Sequence, residues 1–413
     1  MVTAAVTDAD RPRPGRWRAW PRGHLEKTQT GDVHVTSPLA TTLAHDNRVP
    51  DDVNARFTRL LESLVAHRGV HHANVAVTSG DGEQRWSAAA GPADADGHPP
   101  RPDTPFFIAS VTKRFIVTLV LQAYERYELE LAAPIGDYLP AETIGGLHVL
   151  RGVDRTSAIT VRHLASHTSG LPDHFEKRGE GPSLHERLVA GQDVAWTFED
   201  TMRATREQRP HFEPQDLTAA RQKARYSDTG FQLLIRIMET VTGRPFAELL
   251  TERILGPLGL MHTWLPGHRP PDPATAAPSP LHAKQRRVEL TSMIESSNDL
   301  FSTTDDLLVF QRALLDGDLF DDACSLELLT ERRNRLRDIP ILRYGLGTMF
   351  FRVGRLMSSG RPPVTLVGHS GVTGTWLFHC PELDLHLAGT VDQVQGQAVP
   401  FRFMARCLDA WRR

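Results

Sequence analysis

Lysine is scarce in this chain, and one lysine stands where a lone positive charge has no ordinary purpose. Of 47 basic residues only Lys27, Lys113, Lys177, Lys223 and Lys284 are lysine, and the other 42 are arginine. Lys113 lies in Phe106-Phe107-Ile108-Ala109-Ser110-Val111-Thr112-Lys113-Arg114-Phe115-Ile116-Val117, a mostly apolar run, whereas the other four lie in polar surroundings. Arginine cannot release its proton, whereas an amine desolvated among apolar groups can become a neutral base. Ser110 precedes it by three residues, which on a helix places both on one face. A hydroxyl beside a deprotonated amine is a nucleophile with its activator. No other Ser-x-x-Lys occurs in the 413 residues.

Two further stretches carry chemistry. Tyr226, one of five tyrosines, stands in Ala224-Arg225-Tyr226-Ser227-Asp228-Thr229-Gly230-Phe231, just ahead of a helical pattern. Ser227 or Asp228 can cap that helix with Tyr226 as a packing residue. Alternatively Tyr226 is a phenol at a cleft rim, its proton loosened by a nearby ammonium. The other stretch is Leu366-Val367-Gly368-His369-Ser370-Gly371-Val372-Thr373-Gly374-Thr375-Trp376. Three glycines spaced by three weaken a strand unless something must approach its backbone closely. Bare N–H groups there can form half of an oxyanion hole, with His369 as an electrophilic or proton-handling neighbour. A glycine-rich bulge with a surface histidine is the structural alternative.

The surrounding pattern supplies elements to hold these groups. A helix is expected from Asp51-Asp52, with Phe57, Leu60, Leu61, Leu64 and Val65 on one face. Ala73–Thr78 and Gln84–Ala88 flank a Gly-rich turn and read as a hairpin. Ser110 opens a helix that is apolar nearly all round, and so interior. Residues 125–290 read as helices, long loops and proline clusters, and a helix follows over Ser302–Leu315. Strands are expected at Tyr344–Phe350, Arg352–Met357, Val364–Gly368, Thr375–His379 and Leu385–Val391, then a helix over Val399–Trp411. Strands at both ends with helices between predict an α+β fold. In it an antiparallel sheet domain (51–124 and 291–413) is flanked by helices and carries an inserted all-helical domain (125–290). Residues 1–50, rich in Pro, Arg, Thr and His, read as a loosely ordered extension.

Composition excludes several classes. A net charge of −3 gives no electrostatic footing for nucleic acid or a membrane surface. No run of 18 apolar residues suggests a membrane span, and no apolar leader is evident, so a cytoplasmic location is expected. Cys324, Cys380 and Cys407 are widely spaced and suit a reducing compartment. His163 and His167 stand at i and i+4 without a Glu between them, and His71-His72 has no partner in view, so neither a metal nor a cofactor is expected.

Ser110-Val111-Thr112-Lys113, Tyr226-Ser227-Asp228 and His369-Ser370-Gly371 together resemble, in order and approximate spacing, the active-site elements of class C β-lactamases and related penicillin-binding-protein-like serine hydrolases. Two connectors, residues 159–172 and 300–307, are similar to that family's segments as well. The resemblance covers roughly residues 52–412 and implies the β-lactamase/transpeptidase-like fold. It further implies Ser110 as acylated nucleophile, Lys113 as its activating partner and Tyr226 as general acid/base. The N–H groups of Ser110 and Val372 would form the oxyanion hole, and His174 falls at a polar pocket position.

Two departures turn the reading away from penicillins. His369 replaces the lysine that would hold a substrate carboxylate. Asp228 replaces an asparagine and brings negative charge beside Lys113, which can keep the amine protonated. Both resemble the esterase, D-amino-acid amidase and acyltransferase branches. The expected partners are a small-molecule acyl donor, an ester or amide, and an amine or alcohol acceptor where transfer replaces hydrolysis. The competing class is a ligand-binding module that kept the pocket and lost turnover.

Overall fold

A computed structural model describes residues 39–412, apart from 68, 94–96, 178–180 and 359. These residues belong to one compact unit. The expected extension over 1–50 lies mostly outside the described residues. Its last part differs from expectation, because Leu39–Leu43 forms strand β1 at the sheet edge.

The sheet has nine strands. They are β1, β2 (Ala73–Ser79), β3 (Arg85–Pro92), β4 (Asn334–Arg335), β5 (Leu342–Tyr344), β6 (Met349–Val353), β7 (Val364–Ser370), β8 (Trp376–Cys380) and β9 (Leu385–Thr390). Their spatial order is β1-β3-β2-β9-β8-β7-β6-β5-β4, every pair antiparallel. Early and late parts of the chain meet where β2 pairs β9, with Ser79 opposite Leu385 and Asn74 opposite Thr390.

Side chains alternate across a strand, so each face receives its own helices. Val75, Val77, Trp376 and Phe378 pack under α1 (Asp51–Val65) and the C-terminal α5 (Val399–Trp411). Ala76, Leu377 and Ala388 pack under α2 (Thr112–Glu125) and α4 (Thr304–Asp316). Phe115 of α2 stacks on Phe310 of α4 with centroids 3.7 Å apart. Such a pair adds about 0.5–1.5 kcal/mol beyond area burial and ties the helix after Ser110 to its neighbour.

Two expectations fail locally. Tyr344–Phe350 is not one strand, because Gly345-Leu346-Gly347 turns the chain between β5 and β6. Gly347 has φ +52°, and a Cβ there would lie 2.5 Å from Val117 of α2. The strand expected over Arg352–Met357 likewise ends at Val353. The segment between the sheet's halves holds α3 (Asp228–Thr242) and several short helices, yet it is not all-helical. Val149–Leu150 with Val153–Asp154, and Leu281–Ala283 with Arg286–Val288, form two small hairpins. Among the described residues no helix is long and apolar enough to cross a membrane.

Candidate active site

Ser110 lies in a single 3-10 turn, Ala109–Val111, that runs into α2. The turn is strained at Ala109, whose φ of +47° is unfavourable for a residue with a Cβ and costs about 1–3 kcal/mol. Packing holds it there. Thr375 Oγ1 donates to the Ile108 carbonyl at 2.9 Å, and a Cβ on Gly371 would meet the Ala109 Cβ at 2.9 Å. The glycine after β7 therefore answers a close approach, first by the Thr375 hydroxyl and then by the turn bearing Ser110.

Ser110 Oγ accepts hydrogen bonds from Lys113 Nζ at 3.1 Å and from Tyr226 OH at 2.9 Å. The two earlier residues are brought together by one helical turn. Tyr226 comes from the segment leading into α3, where Ser227 Oγ donates to the Pro172 carbonyl at 3.0 Å. Lys113 is buried, with its amine 2.5 Å from Asp228 Oδ1 and over the rings of Tyr226 and Phe231 at 5.3 and 5.2 Å.

That environment decides between the neutral amine that burial favours and the charged amine that Asp228 favours. Burial pulls the Lys113 ammonium toward losing its proton, but the carboxylates of Asp228 and Asp299 outweigh burial and hold it above its ordinary value. The resting amine is charged. Tyr226 departs from expectation. Burial, then the negative charge of Asp228, push its phenol well above the usual range, although the bond to Ser110 opposes this. At rest the phenol is neutral.

His369 is fully buried. Its Nδ1–H donates to the Ser370 carbonyl at 2.9 Å, and its Nε2 accepts from Tyr344 OH at 2.9 Å. Burial, then the Lys113 charge, keep the imidazole neutral, well below its ordinary value. Its ring supports Tyr344 and is not among the groups lining the cavity, whereas Ser370, Gly371 and Val372 are. His174 does line the cavity. Its Nδ1 pairs with Thr229 Oγ1 at 3.2 Å, its Nε2 has no partner among the described residues, and burial pulls it down to about 4.

The cavity holds about 620 Å³. Phe107, Leu188, Trp196, Leu281, Leu290 and Met293 form an apolar wall, while Asp173, Asp228 and Asp299 surround the amine side. Burial raises Asp299 to about 6 and Asp173 well above the usual carboxylate range. Asp299, Asp173 and Tyr344 escaped the sequence reading. Asp299 had one signal, an acid directly before the apolar Leu300-Phe301 connector. The i,i+4 histidines diverge. His163 Nδ1 accepts from the Thr160 N–H at 3.0 Å in a capping box, while the His167 ring lies between Tyr226 and Tyr344 at 4.4 and 4.3 Å.

Known proteins share this frame. The chain is 30% identical over 213 residues to esterase EstB of Burkholderia gladioli, covering 50% of each protein. It is 26% identical over 235 residues to the D-alanyl-D-alanine-carboxypeptidase/endopeptidase AmpH of Escherichia coli, covering 54% of this chain and 51% of AmpH. The chain thus spans about half the length of these curated relatives. Among solved structures, a D-stereospecific amidohydrolase from Streptomyces superposes with TM-score 0.66 at 27% identity, covering 85% of this chain and 97% of that one. The D-amino acid amidase of Ochrobactrum anthropi shares the fold with TM-score 0.68 at 24% identity, covering 87% and 98%. The Beta-lactamase family model matches residues 57–405. Spanning nearly the whole described chain, that match makes this protein a member of the β-lactamase-like serine hydrolase family.

Proposed function

We propose that this protein is a serine acyl-enzyme hydrolase or acyltransferase that takes its acyl group from a small ester or amide. The observation that carries the reading is Ser110 Oγ held by both Lys113 Nζ and Tyr226 OH at the wall of an apolar cavity. Ser110 attacks the carbonyl, and the N–H groups of Ser110 and Val372 receive the developing oxyanion.

The proton needs an acceptor, and a charged lysine is not one. The 2.5 Å contact between Lys113 and Asp228 supplies it. When a substrate expels water, separated charges become costly, and the pair can exchange to amine and carboxylic acid. The amine then takes the Ser110 proton, and Tyr226 passes its own proton to the leaving group. The Lys113 ammonium restores the phenol, so that the proton lost by Ser110 ends on the leaving group. Water or an acceptor amine resolves the acyl-enzyme by the reverse route.

The apolar wall supports a hydrophobic acyl group. With His369 turned from the cavity, β7 presents no cation for a substrate carboxylate, whereas Arg402 of α5 lines the cavity. The acids around Lys113 favour a basic acceptor amine, and the esterase and amidohydrolase relatives support ester and amide donors. A fluorophosphonate should add its mass to Ser110 and to nothing in Ser110→Ala. A panel of activated esters with and without amines then separates transfer from hydrolysis. An unlabelled Ser110 would reduce the protein to a binding module, and hydrolysis indifferent to every amine would remove the transfer half.

A further inference from the structure

His71 and His72 precede β2, and the fold brings them a partner from a distant hairpin. His282 stacks on His71 with ring centroids 3.8 Å apart, and His71 Nδ1 lies 3.4 Å from His72 Nδ1. One ligand atom from each of the three lies within 4.8 Å of the others. We propose that His71, His72 and His282 bind one divalent transition-metal ion of the zinc type, outside the catalytic cavity.

The hydrogen bonds around the cluster decide which nitrogens are available. His72 Nε2 donates to Asp392 Oδ2 at 2.7 Å, so its Nδ1 presents a lone pair. Asp392 is itself buried and fixed by Thr390 Oγ1, which donates to its Oδ1 at 2.8 Å. His282 Nδ1 donates to the Pro280 carbonyl at 3.0 Å, leaving Nε2 as the lone pair. Each of these two rings is therefore anchored at one nitrogen by an oxygen outside the cluster. Metal-binding imidazoles are oriented in this way, carboxylate partners included.

In the absence of an ion His71 Nδ1–H can donate to the His72 Nδ1 lone pair at 3.4 Å, and a cation would take the place of that proton. Nitrogen donors select zinc-like ions over magnesium. Zn–N bonds of about 2.0–2.1 Å put tetrahedral nitrogens about 3.3 Å apart, close to the 3.4 Å between His71 Nδ1 and His72 Nδ1. Rotation of half-buried His71 must open its stack on His282. The ion would also pin a wall of the cavity, because Leu281 precedes His282 and lines it.

The test is zinc titration of the untagged, chelator-stripped full chain by calorimetry, with stoichiometry from native mass spectrometry. One Zn²⁺ at micromolar or tighter affinity is expected. His71→Asn and His282→Asn should each weaken it at least tenfold, and Asp392→Asn by roughly 10–100-fold. His71→Asn changes a half-buried ring and is the variant least able to unfold the chain, which circular dichroism checks. The double variant His379→Asn/His386→Asn, altering a second histidine pair near Asp384, should bind like wild type. The proposal is overturned if wild type takes up no zinc, if His71→Asn and His282→Asn bind unchanged, or if only the His379/His386 variant loses the ion.

Discussion

Replacing Asp228 with asparagine tests how this site makes a base from a charged lysine. In the wild type the acceptor for the Lys113 proton lies 2.5 Å away, so the base forms by internal exchange and not by titration against solvent. The kcat/KM profile should therefore be flat around neutrality. Asparagine removes the acceptor together with the negative charge that does most to hold the proton on the amine. Lys113 is then left to titrate against solvent, with burial pulling its proton off and Asp299 still holding it on. At pH 7 only a small neutral fraction remains, and kcat/KM should fall by between about 10- and 10³-fold. The loss should be recovered with unit slope as pH rises toward 10. The assay is kcat/KM for an activated ester from pH 6 to 10, with fluorophosphonate labelling as a count of intact sites. A variant as active as wild type at pH 7, with an unchanged profile, would refute the internal exchange.

Three further changes read other parts of the site. Tyr226→Phe should cost about 10²–10⁴-fold in kcat, measured by acyl-enzyme formation and breakdown in single turnovers. Lys113→Arg should be nearly as damaging as Lys113→Ala in steady-state kcat/KM, because guanidinium keeps charge and accepts no proton. Asp299→Asn should stabilise the fold at neutral pH, read by urea unfolding. The folded carboxyl sits at about 6 against an ordinary 3.8, so the folded state holds a proton that the unfolded state gives up. The resulting cost is absent below about pH 3.8, grows through that window and is full above about 6. The variant should gain roughly 2–3 kcal/mol at pH 7.5 and nothing at pH 3.5. An equal gain at both would assign the effect to packing.

Much of this architecture was legible in sequence because burial writes itself as period. α2 is apolar nearly all round and is interior, and β2, β8 and β9, buried almost throughout, lie near the sheet's centre. Ser110, Lys113 and Tyr226 were legible because of their motif spacing and, for the lysine and the tyrosine, their scarcity in this chain. Charge states were legible only in part, since Asp228 reads as able to keep Lys113 protonated, whereas Asp299 escaped the reading. They depend on distances between residues far apart in sequence, such as Lys113 to Asp228 and to Asp299. His369 looked catalytic by position, yet the Tyr344 hydroxyl claims its ring, a contact that no local pattern announces. The same holds for His282, which meets His71 only through tertiary folding. β1 escaped because a short edge strand with mixed burial has no clear alternation to read.

The pairing of β2 with β9 bears on how the protein is made. Until the ribosome has released Leu385–Thr390, the hairpin formed by β2 and β3 has no neighbour on its inner side, and its backbone groups there are open to any extended strand. Assembly is thereby deferred until Leu385–Thr390 has been made, and a chain halted before Leu385 leaves that strand uncapped. C-terminal truncation should thus yield insoluble aggregates rather than a smaller working enzyme.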